Sequence, residues 1–339
     1  MRTAGLLLAG LYAVVEARAQ VPPPDVPQEA TAPAAPTTAP LPTAAPVFRA
    51  GVDLVALNVV VTEGGTKFVT GLQPQNFTIY EDGVQQDVTF FAATSVPLDL
   101  AILLDTSSSM SDKLREVQLA ATGFVSTLRE GDRSMIVDIK DATRVIQPLT
   151  EDVAAAKGAI SSTSAKGGTA LFNGIYLTLK ELTKQRRQTD DVRRQAIVVL
   201  SDGEDTASLV AFDDVMAQAK EAGIAIYTIT LRSPFLVQMA AAGGKRYFSE
   251  AEYSMRALAQ ETGARSFFPS VISELAGVYD SIAQELASQY ALGYTPKNPR
   301  RDGSFRRLIV RIADHPGAAP RTRTGYVAPR IDRKTTGSN

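Results

Sequence analysis

The chain has 339 residues, of which 45% are hydrophobic and 21% charged, with a net charge of −1. That suits a folded protein with room for one large and one smaller domain, and it gives no electrostatic bias toward nucleic acid or anionic membranes. There is no cysteine and His315 is the single histidine, which excludes a disulfide scaffold, a cysteine nucleophile and a Cys-based zinc site and makes His-dependent catalysis improbable.

Residues 1–19 have the form of a signal peptide. Arg2 is the positive start, residues 5–15 are a short apolar run, and Ala17-Arg18-Ala19 fits a small-x-small cleavage site before Gln20. The run is shorter than the roughly 20 apolar residues of a bilayer span, and no later segment supplies one. No cysteine follows it, so a lipoprotein anchor is excluded. The expected location is therefore outside the cytoplasm: periplasm, cell envelope or secreted. Residues 20–47 are dominated by Pro, Ala and Thr. They bury too little apolar surface to offset ordering entropy and read as an extended linker.

Residues 48–96 read as an N-terminal β segment. Val55, Leu57, Val59 and Val61 alternate with Leu54, Ala56, Asn58 and Val60, the pattern of a strand with a strongly apolar face. Glu63-Gly64-Gly65 is a turn, residues 68–72 a return, and residues 77–80 a third strand. Glu81-Asp82-Gly83 is a tight turn into a fourth strand over residues 86–91.

From Leu98 the pattern becomes α/β. Residues 98–104, 196–200 and 224–231 are continuous apolar runs, as in strands buried on both faces. Shorter strands are expected at 134–139, 143–146 and 265–268. Helices are expected at 113–128, 153–160, 171–182, 210–221, 253–261 and 270–286. This alternation predicts a Rossmann-like, doubly wound, mostly parallel sheet over residues 97–288. Residues 289–328 form a C-terminal β segment, with strands at 290–294 and 305–312, and residues 329–339 are a disordered tail. Each β segment is too small to fold well alone. The termini of an inserted domain lie close together, so the two segments are expected to pack as one β-sandwich-like module.

Asp105-Thr106-Ser107-Ser108-Ser109 follows the first buried strand directly. Ligands of open α/β sheets bind beyond the carboxyl ends of the strands, and a carboxylate with hydroxyls at alternate positions can converge there on one point. Asp202 ends the second buried strand, and Thr169 closes Gly167-Gly168-Thr169 before a helix. Two carboxylates and three hydroxyls are hard oxygen donors, suited to Mg²⁺, or to Mn²⁺ or Ca²⁺, and unsuited to copper or zinc.

These residues resemble the von Willebrand factor A (VWA) domain and its metal-ion-dependent adhesion site. Asp105, Ser107 and Ser109 match the family's Asp-x-Ser-x-Ser, Thr169 its distant threonine and Asp202 its distant aspartate. The resemblance covers about residues 97–288. Ser108 departs from the pattern, standing where glycine is frequent, and Asn173 stands where many relatives carry aspartate. The flanking Asp82-Gly83-Val84-Gln85-Gln86, residues 289–294 and Gly325-Tyr326 look like exported bacterial VWA-related proteins. The resemblance implies one divalent cation at these five residues, with an open coordination position for an acidic group.

Other motifs carry less. Ser107 and Ser109 lack a histidine to activate either as a nucleophile. Gly167-Gly168 lacks the Gly-Lys-Ser/Thr end of a nucleotide loop. Two basic clusters, at Lys184, Arg186, Arg187, Arg193 and Arg194 and at Arg300, Arg301, Arg306, Arg307 and Arg311, read as solvated surface. Residues 233–249 read as a surface insertion. The expected function is a metal-dependent adhesion or scaffold module, not an enzyme, that grips an Asp or Glu of a protein partner. Its alternatives are a metal-dependent hydrolase and a structural envelope protein whose metal only stabilises loops. Neither nucleic acid as a partner nor a transmembrane segment in the mature chain is expected.

Overall fold

The computed structural model describes residues 54–93, 96–188, 191–202, 204–232 and 249–330. The signal, the linker, most of the insertion and all but the first two residues of the tail lie outside them.

The central sheet has six strands in the order β11-β10-β9-β6-β7-β8. They are β6 (Leu98–Asp105), β7 (Arg133–Ile139), β8 (Arg144–Thr150), β9 (Arg194–Ser201), β10 (Ala225–Thr230) and β11 (Ser266–Phe267). Pairing is parallel except between β7 and the edge strand β8. Every residue of β6 is buried, because helices cover both faces of the sheet.

The period of two in β6 divides the core. Leu100, Ile102 and Leu104 pack with α1 (Leu114–Val125), α2 (Val153–Ser161) and α6 (Leu275–Ala287) through Val117, Ala121, Phe124, Ile160, Tyr279 and Ile282. Ala101 and Leu103 face the other way, toward α3 (Leu171–Gln188), α4 (Phe212–Ala222) and α5 (Glu250–Glu261). The α/β architecture is therefore as the residue pattern predicts. Two details differ. The stretch 270–286 opens with a short 3-10 turn at Ile272–Glu274, and α6 starts only at Leu275.

The flanking segments form a two-sheet module. Strand β1 (Val55–Glu63) lies between β12 (Tyr290–Tyr294) and β14 (Ala318–Arg321), with β5 (Val88–Ala93) beyond β12 and the short β2 (Lys67–Phe68) also on β1. The second sheet runs β15-β13-β3-β4, from β15 (Gly325–Val327), β13 (Phe305–Ile312), β3 (Phe77–Glu81) and β4 (Val84–Gln86). N-terminal and C-terminal strands alternate in the first sheet and meet at the β13–β3 pair in the second, and the two sheets share one core, including Leu57, Val59, Ile79, Leu292, Tyr294 and Leu308. Asp82 and Gly83 turn the β3–β4 hairpin with positive φ angles of 48° and 86°, the conformation a two-residue hairpin needs.

The expected single strand over residues 86–91 is two. The chain leaves the β3 sheet after Gln86 and joins the β12 sheet from Val88. The strands β14 and β15 were not expected at all.

A buried polar knot joins the sheets. Glu81 accepts hydrogen bonds from the hydroxyls of Tyr294 (2.6 Å) and Tyr326 (2.8 Å) and pairs with Arg306 at 3.1 Å. Arg306 is thus not part of a wet face, although Arg307 and Arg311 are exposed as expected. The other basic cluster is also only partly solvated. Arg193 bonds Asp99 at 2.6 Å, and Arg194 is buried against the carbonyls of Val96 and Leu286.

The module is fixed to the α/β domain through β14 and the turn after it. Arg321 meets the fully buried Glu285 of α6 at 2.5 Å, and Tyr227 donates to the same carboxylate at 2.7 Å. Thr324 donates to Glu261 at 2.7 Å. Among the described residues, no helix is long and apolar enough to cross a membrane.

Candidate metal centre

Asp105 is the last residue of β6, at the carboxyl edge of the sheet. It has no solvent exposure. One carboxylate oxygen accepts the Ser107 backbone N–H at 2.9 Å, and the other accepts the Ser201 hydroxyl at 2.6 Å. Burial raises its pKa above the ordinary carboxylate value. Hydrogen bonds from Ser201 and Ser107 pull the other way, and the neighbouring Asp202 carboxylate adds to the rise. A buried carboxylate facing a second one is an energetic cost that a cation would offset.

The chain then turns sharply. Ser108–Met110 is a single 3-10 turn, and it brings the Ser107 and Ser109 hydroxyl oxygens to 3.0 Å. Ser108 sits where relatives favour glycine, but it has no positive φ, so the loop needs no glycine there. The Thr106 hydroxyl points away from this group and donates to Asp138, which also pairs with Lys140 at 3.1 Å.

The loop carrying Thr169 is laced to the Asp105 loop. Ser108 N–H donates to the Gly167 carbonyl at 3.0 Å, and Lys166 N–H donates to the Thr106 carbonyl at 2.9 Å. Gly167 has φ 79°, and a Cβ there would collide with the Asp141 carboxylate, which accepts the Gly168 N–H at 2.6 Å. The positive φ favours glycine, and any larger residue would also have to displace the Asp141 carboxylate. Thr169 itself is buried, not on the open surface that a loop position suggests.

Asp202 follows β9 and is half-buried. The turn after it is braced to the start of α3. Thr169 and Thr206 exchange bonds, N–H to hydroxyl and N–H to carbonyl, both at 2.9 Å. Asp205 accepts the Leu171 N–H at 3.2 Å, so it caps α3 from a distant loop. The Asn173 side-chain carbonyl accepts from Leu209 and Val210 N–H, each at 3.0 Å. This side-chain oxygen braces the loop after Asp202. Ser201, Asp205, Thr206 and Asp141 escape a reading of the sequence alone. Ser201 carried the one visible signal, a hydroxyl beside Asp202 at the end of an apolar strand.

The donor set fits a hard divalent cation. Asp105, Ser107 and Ser109 share one turn, Asp202 is near enough to act on the Asp105 carboxylate, and the loop that carries Thr169 is bonded to that turn, so the set supplies two carboxylates and three hydroxyls as hard oxygen donors. Asp105, Ser107, Ser109, Thr169 and Asp202 are the residues that would hold it.

Comparison with known proteins gives the family. The model of the von Willebrand factor type A domain matches residues 99–270, half of the chain, and the chain belongs to that family. A curated relative, an uncharacterised protein of Synechocystis sp., is 34% identical over 113 residues, 32% of this chain. The aligned region spans only 26% of that relative. Among solved structures, a von Willebrand factor type A protein from Catenulispora acidiphila aligns with 83% of this chain and 76% of its own, at 13% identity and a TM-score of 0.47. An aerotolerance-related membrane protein from Bacteroides fragilis aligns with 56% of this chain and 98% of its own, at 20% identity and a TM-score of 0.42. Proximal thread matrix protein 1 from the mussel byssus, described with a zinc-occupied MIDAS motif, aligns with 61% and 50%, at 15% identity and a TM-score of 0.46.

Proposed function

We propose that this von Willebrand factor type A protein is an exported, non-enzymatic binding module of the periplasm, cell envelope or extracellular space. It holds one Mg²⁺, or Mn²⁺ or Ca²⁺, between Asp105, Ser107, Ser109, Thr169 and Asp202. The cation's open coordination position grips an aspartate or glutamate of a protein partner.

The observation that carries this reading is the cost built into the crevice. Asp105 is buried, its pKa is raised by that burial, and Asp202 adds repulsion, while the serine hydroxyls stand 3.0 Å apart beside it. A cation is the species that relieves such an arrangement. Export rests on the form of residues 1–19, and sequencing the N-terminus of the mature protein checks it: Gln20 should come first.

A hydrolase is disfavoured. The single histidine, His315, lies between β13 and β14 in the β module, away from the crevice, and could not serve there as a general base.

The test combines calorimetry with a pull-down from envelope extract. Mg²⁺ should bind once per chain, and partner capture should vanish in EDTA. Thr169→Ala should weaken both while the melting curve in EDTA stays unchanged, because the bracing bonds of residue 169 use its backbone. Full capture by a folded Thr169→Ala protein, or by wild type in EDTA, would show that the partner docks elsewhere.

A further inference from the structure

Leu209 is 95% exposed, the most exposed of the large hydrophobic side chains among the described residues. An isolated exposed leucine is ordinary on a protein surface. This one differs in how it is held and where it stands.

It lies on the turn that starts after Asp202, and that turn is bonded to the backbone of Thr169 through Thr206 and Ala207. Asn173 fixes the leucine's own N–H, and its backbone N–H donates to the Ser208 hydroxyl at 3.0 Å. Asp205 accepts from Ser208 as well as from Leu171. The next residue, Val210, faces inward and packs with Phe172 and Phe212 against the core of the α3 side. Turning Leu209 inward would pull Val210 out. The chain therefore holds a leucine in water, on a braced turn that joins two of the proposed metal ligands.

We propose that Leu209 is an apolar contact for the same partner: the acidic peptide segment that meets the cation carries, at a fixed offset from its carboxylate, an aliphatic or aromatic side chain that covers Leu209. This rests on the metal-dependent binding proposed above and specifies the ligand's chemistry. A carboxylate alone would make any acidic surface a ligand. A rigid apolar contact on the braced turn after Asp202 adds selection, since burying one leucine raises affinity roughly tenfold to hundredfold.

The probe is a library of acetylated heptapeptides with a central Asp or Glu and all residue types in the flanks, selected on the full mature chain in Mg²⁺ and again in EDTA. The expected result is Mg²⁺-dependent binders with Leu, Ile, Val, Phe or Met enriched at one offset. Leu209→Ser should bind these at least tenfold more weakly, whereas Leu209→Met retains them. Both variants should melt with wild type, because the side chain is in solvent. Mg²⁺-dependent binders with unselected flanks, or unchanged affinity in a folded Leu209→Ser, would overturn the role of Leu209 and leave the metal reading standing. Binding indifferent to EDTA, or no binding in Mg²⁺, would overturn both.

Discussion

Replacing Asp105 by asparagine separates what the carboxylate costs the fold from what it does for a cation. The amide can keep both hydrogen bonds. Its oxygen accepts the Ser107 N–H, now at 2.9 Å, and its NH₂ meets the Ser201 hydroxyl, now at 2.6 Å, which turns from donor to acceptor. What changes is charge. Burial is the main cause that raises the Asp105 pKa in the folded protein. A raised folded-state pKa means that the folded state favours the protonated acid. The stability this gives is fully present below the unfolded pKa of about 3.9 and is lost as pH rises through the folded value. At neutral pH the metal-free protein carries the whole penalty, about 1.4 kcal/mol for each unit of displacement. In EDTA at neutral pH, Asp105→Asn should therefore be as stable as wild type or more stable, with a steeper acid limb, because the variant lacks the stability wild type regains as Asp105 takes up a proton. Mg²⁺ at 100 times its Kd should stabilise wild type by about 2.7 kcal/mol, or roughly 5–10 °C at about 2–4 °C per kcal/mol. The variant should gain almost nothing. Thermal melts in EDTA and across a MgCl₂ titration measure both effects. A full Mg²⁺ shift in Asp105→Asn would refute the assignment of Asp105 as a ligand, and a loss of several kcal/mol in EDTA would refute the accounting of its burial.

Three further substitutions test the frame around the site. Tyr279 is buried between α1 and α6, stacked on Phe124 at 4.8 Å, and its hydroxyl has no hydrogen-bond partner among the described residues; Tyr279→Phe should stabilise by about 1–3 kcal/mol, read by urea unfolding. Glu81→Ala takes the nearer carboxylate from the buried Arg306, leaving it Asp302 at 3.6 Å and the Arg300 carbonyl, and unpairs two tyrosine hydroxyls, so it should cost about 3 kcal/mol in the same assay. Asp205→Ala removes the cap of α3 and a brace of the Asp202 turn; it should cost about 1 kcal/mol and weaken Mg²⁺ binding in calorimetry, and an unchanged metal isotherm would show that the turn does not position the ligands.

The α/β domain was legible because its signals are local. Strand β6 is one apolar run ending in a carboxylate, and its alternate residues feed two helix layers. The five candidate ligands could be named from the sequence because each sits at or near the end of an element whose type the pattern decides: Asp105 ends β6, Ser107 and Ser109 follow it, Asp202 follows β9, and Thr169 precedes α3. The supporting residues were not, because their partners are remote in sequence: Ser201 reaches Asp105 and Asp205 reaches Leu171 across 96 and 34 positions. Arg194 and Arg306 were misread for the same reason. A basic run looks solvated until tertiary structure supplies the carbonyls of Val96 and Leu286, or the carboxylate of Glu81, to a side chain that charge alone would keep wet. The β4–β5 break also has no local mark, since Asp87 changes the sheet the chain joins and not its extended conformation.

The way the two halves are joined bears on how such a site could be used. Strand β5 leaves the module at Ala93 and β12 returns at Tyr290, and these two residues are paired. The α/β domain is thus inserted at one point of a two-sheet module that its own flanks complete. The first strand of the domain, β6, begins at Leu98 near that junction and runs eight residues to Asp105. At about 3.3 Å per residue the crevice stands roughly 25 Å from the junction. The Glu285–Arg321 and Glu261–Thr324 bonds tie the module to α6 and to the end of α5, while Asp105, Asp202 and Leu209 lie past the carboxyl ends of the strands. Both connections to the module therefore leave from the end of the sheet opposite Asp105, so the partner proposed above would meet Asp202 and Leu209 without displacing the module.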